Sequence, residues 1–312
     1  MADAQHPIDT LKAADLPALA RLVVRGLVHD ELPPGALHNR CFADPDQRPE
    51  HRLCVRGPTG EPVGVAVGVV RERADARVGY VRLVVVHPDW RRRGIATTLL
   101  NTLESRLTDA GATRRAVGAE LPIWLLAGVD VRYSAALCCF RSRGYERSRD
   151  VFNLEVDLTR REFDSEPIEA GLATHGIRVA RMAPADSAEL GAYLDANWSL
   201  TWRIEGLAAL AADPPTGFVA RRHMADHAEL VGFAVYDVAR PGWFGPIGTD
   251  ARLRGLGVGT ALLLRCMRAW QDAGRTRGEI NWIGPLAFYS KAVDATVCRV
   301  LWQLDKASAS PG

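Results

Sequence analysis

Apolar residues recur at helical spacing between Asp15 and His29, with Leu16, Leu19, Leu22, Val23 and Leu27 near one face. Pro33-Pro34-Gly35 breaks that helix, and Ala36–Phe42 reads as a second, short one. The period then changes. Arg52–Arg56, Pro62–Arg71 and the valine-rich Tyr80–Val86 read as strands, the first two joined by a turn at Pro58–Glu61. A helix is expected from Thr97 to about Gly111, a plausible C-cap. Arg115–Ala119 reads as a short strand, Cys138–Arg143 as the end of a helix stopped by Gly144, and Val151–Leu158 as a closing strand. Thr159–Gly176 is polar and aperiodic. After it the order restarts: strand Ile177–Met182, helix Ala185–Asn197, strands Gly217–Arg221, Glu229–Val238 and Phe244–Thr249, helix Thr260–Ala273, strand Gly278–Ile283, helix Pro285–Ala292 and a last strand Val297–Leu304. Each half is a mostly antiparallel run followed by a βαβ unit. The expected class is therefore α/β, with a twisted mixed sheet flanked by helices in each of two tandem domains. The boundaries expected are 1–160, a linker at 161–176, and 177–312.

The strand–loop–helix junction is written twice, without a gap. Val84-Val85-Val86-His87-Pro88-Asp89-Trp90-Arg91-Arg92-Arg93-Gly94-Ile95-Ala96-Thr97 aligns with Ile247-Gly248-Thr249-Asp250-Ala251-Arg252-Leu253-Arg254-Gly255-Leu256-Gly257-Val258-Gly259-Thr260. Each loop delivers unpaired N–H groups and a positive dipole end at a helix start, beside arginine and small residues. A pyrophosphate suits such a place. A Walker loop would need Gly-Lys-(Ser/Thr), which neither copy has, and Gly255, Gly257 and Gly259 do not have dinucleotide-fingerprint spacing. The competing reading is a glycine turn that caps a helix and binds nothing.

Composition narrows the classes. At 47% apolar and 24% charged, the chain has ordinary globular make-up, and a net charge of +2 gives no reason to expect a nucleic acid partner. No apolar run reaches the ~18 residues of a membrane span, so no membrane partner is expected. The six cysteines have neither Cys-x-x-Cys nor zinc spacing and suit a reducing, cytoplasmic setting. His223 and His227 have the spacing of helical metal ligands, but no third ligand stands out and no metal is expected. Oligomeric state is not readable.

The stretch Leu83–Ala96 resembles the acetyl-coenzyme A motif of the GNAT superfamily of N-acetyltransferases, and the second loop is similar. Cys139-Phe140-Arg141-Ser142-Arg143-Gly144-Tyr145 resembles the family's Phe-Tyr-x-x-x-Gly-Phe helix end, and Phe288-Tyr289-Ser290-Lys291 matches its start more closely. The resemblance covers both halves, as in two-domain members such as mycothiol synthases and a tandem protein of clavulanate gene clusters. It implies acetyl-CoA as co-substrate, held by Val84–Val86 and Arg91, Arg92, Arg93, Gly94, Ile95, Ala96 and Thr97, or by Ile247, Gly248, Thr249, Arg254, Gly255, Leu256, Gly257, Val258, Gly259 and Thr260. Pantetheine would pair with the strand like an added strand, and a strand N–H would polarise the thioester.

The resemblance further implies a tyrosine acid for the departing thiolate. Tyr289 stands at that position in the second half; Phe140 stands there in the first. The second half is therefore expected to catalyse, and the first either to bind coenzyme structurally or to be a decayed or regulatory copy, unless Tyr133 or Tyr145 supplies the hydroxyl. Trp243 and Tyr80 replace the glutamate that mycothiol synthases carry on this strand. Glu229, Asp237, Asp195 and Glu205 are the second half's candidate bases, each competing with a solvated surface role. Trp198 and Trp202 line either an acceptor site or the core, and Gly128–Tyr133 is an insertion before the Phe140 helix. The expected activity is acyl transfer to a small-molecule amine. The alternatives are a non-catalytic acyl-CoA sensor or scaffold, and a protein N-terminal acetyltransferase.

Overall fold

The valine-rich run Pro62–Glu72 is buried along nearly its whole length, which requires cover on both faces of its sheet. In the computed structural model, which describes residues 6–74, 76–118, 120 and 126–307, helices supply that cover. The chain divides into two compact units, residues 1–151 with 300–312, and residues 152–299.

The first unit contains β1 (Asp9–Thr10), α1 (Leu16–Gly26), α2 (Pro34–Cys41), β2 (Arg52–Arg56), β3 (Pro62–Glu72), β4 (Arg77–Val86), α3 (Ile95–Asp109), β5 (Arg114–Val117), β6 (Val129–Asp130) and α4 (Ser134–Ser142). Alternation along the strands sends side chains to opposite faces. Val63, Ala66, Val81 and Val86 meet Ile95, Leu99, Leu100, Leu103 and Leu107 of α3. Val65, Val67, Leu83 and Val85 meet Leu19, Leu22 and Val23 of α1 and Leu37 of α2. Strands β1 to β4 are antiparallel neighbours, and β4 pairs parallel with β5.

Next come β7 (Glu146–Asp157), α5 (Glu166–Ala173), β8 (Ile177–Arg181), α6 (Ser187–Asn197), α7 (Leu200–Leu210), β9 (Gly217–His223), β10 (Ala228–Tyr236), β11 (Trp243–Thr249), α8 (Val258–Asp272), β12 (Arg277–Ile280), α9 (Leu286–Val293) and β13 (Thr296–Ala307). In the second unit β8 to β11 are antiparallel neighbours, and β11 runs parallel to β12. One face carries α8 with Leu172 of α5; the other carries α6 and α7 around Phe233.

The sixth strand of each sheet is not the one chain order suggests. β5 pairs with β13, at Leu304↔Val117 through Ala307↔Arg114, and β12 pairs with β7, at Ile280↔Leu154 through Arg277↔Asp157. Val151–Leu158 was expected to close the first sheet; it contributes to the second, and the chain's last strand closes the first. The expected boundaries at 160 and 177 therefore differ from the observed division. Residues 161–176 are not simply a linker either: Ser165 precedes α5, Leu172 is 1% exposed, and Arg265 of α8 donates two bonds to Glu169 (2.6 and 2.7 Å). Helix α7 was not anticipated.

The first unit also buries a set of charges. Arg71 and Arg82, on β3 and β4, share Asp44 and Glu120, and Arg71 reaches the more exposed Asp46. Burial alone would raise the Asp44 carboxyl. The Arg71 guanidinium, the Asp46 amide and Arg82 outweigh it and hold Asp44 below its ordinary value of 3.8.

Two outcomes follow from this packing. Leu304, 1% exposed in the first unit's core, is expected to lower stability by about 2–5 kcal/mol when cut to alanine, measured by urea unfolding. Because the folded Asp44 titrates below the unfolded value of 3.8, its contribution is complete above that pH and is lost as pH falls toward the lower folded value. Thermal midpoints are therefore expected to drop on acidification below about pH 4, with a shallower acid limb in Asp44→Asn.

Candidate functional site

The β4–β5 ladder covers only Val78–Val81 against Arg114–Val117. Beyond it β4 continues through Val86 beside β3 alone, so the strand edge at Val84–Val86 faces a gap. A cavity of about 690 Å³ occupies this fork. One wall is β4 with Gly26, the last residue of α1, and the segment after it to Asp30. The other is Gly128–Asp130, Arg132, Tyr133 and the small side chains Ser134, Ala135, Ala136 and Cys139 of α4, with Phe140. Its end is the loop Trp90–Arg92 and Gly94–Thr97.

The α3 N-terminus has no side-chain cap. Gly94, its N-cap, sits at φ 82°, the left-handed region that favours glycine, and a β-carbon there would meet nothing within 4 Å. The first N–H groups of α3 therefore face open space without an intrahelical partner. The three arginines do different things. Arg91 donates to the carbonyls of Val86 (3.2 Å) and Gly26 (3.0 Å), tying the end of α1 to the end of β4. It braces these two elements while lining the end of the cavity. Arg93 donates to the Asp89 carbonyl (2.9 Å) and stacks on Trp90. Arg92 is exposed, at φ 62°.

The insertion before α4 reaches the cavity. The Tyr133 hydroxyl donates to Asp30 Oδ2 (2.9 Å) and accepts from the His29 amide (2.8 Å). Arg132 grips the buried Asp130 with two donors (2.9 and 2.7 Å). Phe140 and Tyr145 pack edge to face in the core. Burial raises the Tyr145 phenol, and its hydroxyl has no partner among the described residues.

The second unit repeats the fork. β11 pairs with β12 only at Trp243 and Phe244, which leaves Ile247–Thr249 beyond the ladder. Gly257 is again a left-handed N-cap, at φ 97°, without a side-chain cap. The surroundings are fuller. A β-carbon on Gly257 would lie 3.0 Å from Ile168 of α5, and one on Gly259 would lie 3.6 Å from the Phe288 ring. Gly255 has open space, and Arg254 and Leu256 are exposed. Val258 is buried, and Thr260 is half-buried on the first turn of α8.

Tyr289 does not stand in an open cleft. It is 6% exposed, packed edge to face against Phe244 and Phe288, and burial pushes its phenol up. Its ring packs within the apolar cluster of the second unit. Trp198 and Trp202 stack at 4.5 Å on Phe233, with Trp198 over Gly248, so they pack the sheet. Asp237 accepts from the Gly242 amide and the Trp270 indole, Asp195 pairs with Arg203, and Glu229 lies 3.6 Å from Arg252. His223 and His227 flank a hairpin turn, where helical spacing does not apply, and the described residues contain no metal-binding cluster.

Sequence reasoning missed Asp30 and the role of Arg82. Asp30 lies one residue beyond Asp15–His29, a segment read only as helix. Arg82 is one charge in a valine strand, and its partners are distant in sequence.

Residues 24–121 match the sequence profile of the acetyltransferase (GNAT) family. No curated protein sequence matches the chain. Among solved structures, a fungal multi-domain GH3 β-N-acetylglucosaminidase with a GCN5-related glucosamine N-acetyltransferase region superposes with TM-score 0.77 at 17% identity. That match covers 96% of this chain but 38% of the other, so the chain spans well under half of that protein. A GCN5-related N-acetyltransferase from Sphaerobacter thermophilus gives 0.69 at 20% identity, covering 96% and 95%. The tandem GNAT protein of the clavulanic acid pathway gives 0.67 at 15%, covering 98% and 99%. At these identities the likeness is one of fold. No helix among the described residues is long and apolar enough to cross a membrane. Residues 24–121 of the first unit thus carry the match to the acetyltransferase (GNAT) family, and the chain as a whole shares the fold of these structures.

Proposed function

We propose that the first unit is the working acyltransferase site, taking acetyl-CoA and passing the acetyl group to a small-molecule amine. The observation that carries this reading is the open fork running into the uncapped start of α3. In this reading the α3 amides and Arg92 hold the diphosphate, where helix dipole and unpaired N–H groups favour an anion. The Val84–Val86 edge takes pantetheine as an added strand. The coenzyme supplies an activated thioester. The Val84 N–H faces its carbonyl and stabilises the charge that develops there.

Tyr133 is the proton donor in this reading. Tyr133 lines the cavity; its hydroxyl accepts from the His29 amide, and its single proton, held on Asp30 Oδ2 in the free protein, turns from Asp30 to the departing thiolate. Small residues of α4 line the cavity, and Phe288 stands beside the start of α8 in the second unit. The second unit is then read as a non-catalytic copy, which exchanges the roles first expected of the two halves. Six free thiols suit a cytoplasmic setting.

Titration calorimetry is expected to give one acetyl-CoA per chain. Gly94→Asp caps α3 with a carboxylate where the diphosphate would sit, and should weaken binding by roughly tenfold or more, while Gly257→Asp leaves it unchanged. With a panel of amines, Tyr133→Phe should lower kcat by about a hundredfold with coenzyme affinity kept, and Tyr289→Phe should not. Binding lost through Gly257 and not Gly94 would overturn the assignment. Tight binding without turnover of any amine would leave the chain a coenzyme sensor.

A further inference from the structure

The fork opens at a single residue. Val67 pairs with Leu83 and Gly68 with Val81, so Arg82 is the extra residue of a bulge on β4. The β4–β5 ladder ends at Val81↔Val117, one position earlier. Arg82 thus begins the separation of the strands, and Glu120 follows the end of β5. The two side chains are joined by two hydrogen bonds, Nε to Oε2 at 2.6 Å and Nη2 to Oε1.

The rest of the guanidinium is also held. Nη2 donates to Asp44 Oδ2 (2.7 Å), and Nη1 donates to Gln47 Oε1 (3.1 Å) and the Arg40 carbonyl. The Arg82 side chain is 0% exposed. All three nitrogens are used, on partners from the end of α2, the loop after it and the segment after β5.

We propose that Arg82 is a positioning residue: pinned by Glu120, Asp44 and Gln47, it sets the β4 bulge so that the Val84 N–H, two residues on, faces the reacting carbonyl. The proposal rests on reading the first unit as the acyl-transfer site. Stability does not account for the arrangement, because buried ion pairs often contribute no more than well-packed apolar residues of similar volume. Nor does a positive field. Arg71 and Arg82 are balanced by the buried Asp44 and Glu120, with Asp46 beside them. What the network supplies is a fixed position for one backbone turn. The second unit makes its bulge differently, at Gly245 (φ 124°) and Pro246, and Ile283 stands in the place of Glu120. The charged pin belongs to the unit with the open cavity.

The test uses the full chain. Arg82→Lys keeps the charge and loses the two-pronged contact with Glu120. It should remain folded, hold acetyl-CoA within about threefold of the parent, and lose at least about tenfold in kcat. A double variant, Arg82→Met with Glu120→Gln, removes one buried charge of each sign and leaves Arg71 paired with Asp44 and Asp46. It should keep a thermal midpoint near the parent's and show the same kcat loss. Full kcat in either folded variant, with the parent active, overturns the positioning role alone. A parent that neither binds coenzyme in the first unit nor acetylates any amine overturns the underlying reading and the proposal with it.

Discussion

Four paired residues decide the site. Val78–Val81 bind β4 to β5, and the ladder then stops while β4 continues for five more residues on β3. A parallel pair that simply continued would have satisfied its backbone with its neighbour and left no gap. Ending it early leaves strand edge unpaired on one side, and the bulge turns that edge into the space between α1 and α4. The loop after β4 then has to enter α3 through a left-handed glycine. The unpaired edge and the uncapped helix start consequently open into one cavity.

The two units build the same fork with different surroundings. Each has a left-handed glycine N-cap and a splayed parallel pair. In the first unit Gly26 of α1 lies close against Val85; in the second, Trp198 lies close against Gly248, the aligned position. Bulk has moved from strand to helix side with the close approach retained. At the helix start the change is one-sided. Ile168 lies close to Gly257, whereas nothing stands within 4 Å of a β-carbon on Gly94.

Local features were legible in the sequence. The valine-rich strands, the two glycine loops and the helices that follow them were read within a few residues, because periodicity and turn chemistry act over short range. Pairing partners were not. Nothing in Val151–Leu158 or Val297–Leu304 says which sheet each joins, since a half-buried strand satisfies its backbone at either edge. The helix at 166–173 was hidden by a short polar segment with one fully buried side chain, Leu172. Tyr289 matched a family position, but its surroundings come from Phe244 on another strand and Phe288 beside it. The grip on Arg82 joins residues 38 and 42 positions apart, beyond any local pattern.

The exchanged closing strands have a consequence for synthesis. The first sheet is completed by Leu304–Ala307, so its last edge is filled only after the whole of the second unit has been made. On the ribosome the first 150 residues would wait with β5 uncovered while the second sheet, which takes its closing strand from the middle of the chain, assembles. Order of translation and order of completion are thus reversed: the half made second can be finished first.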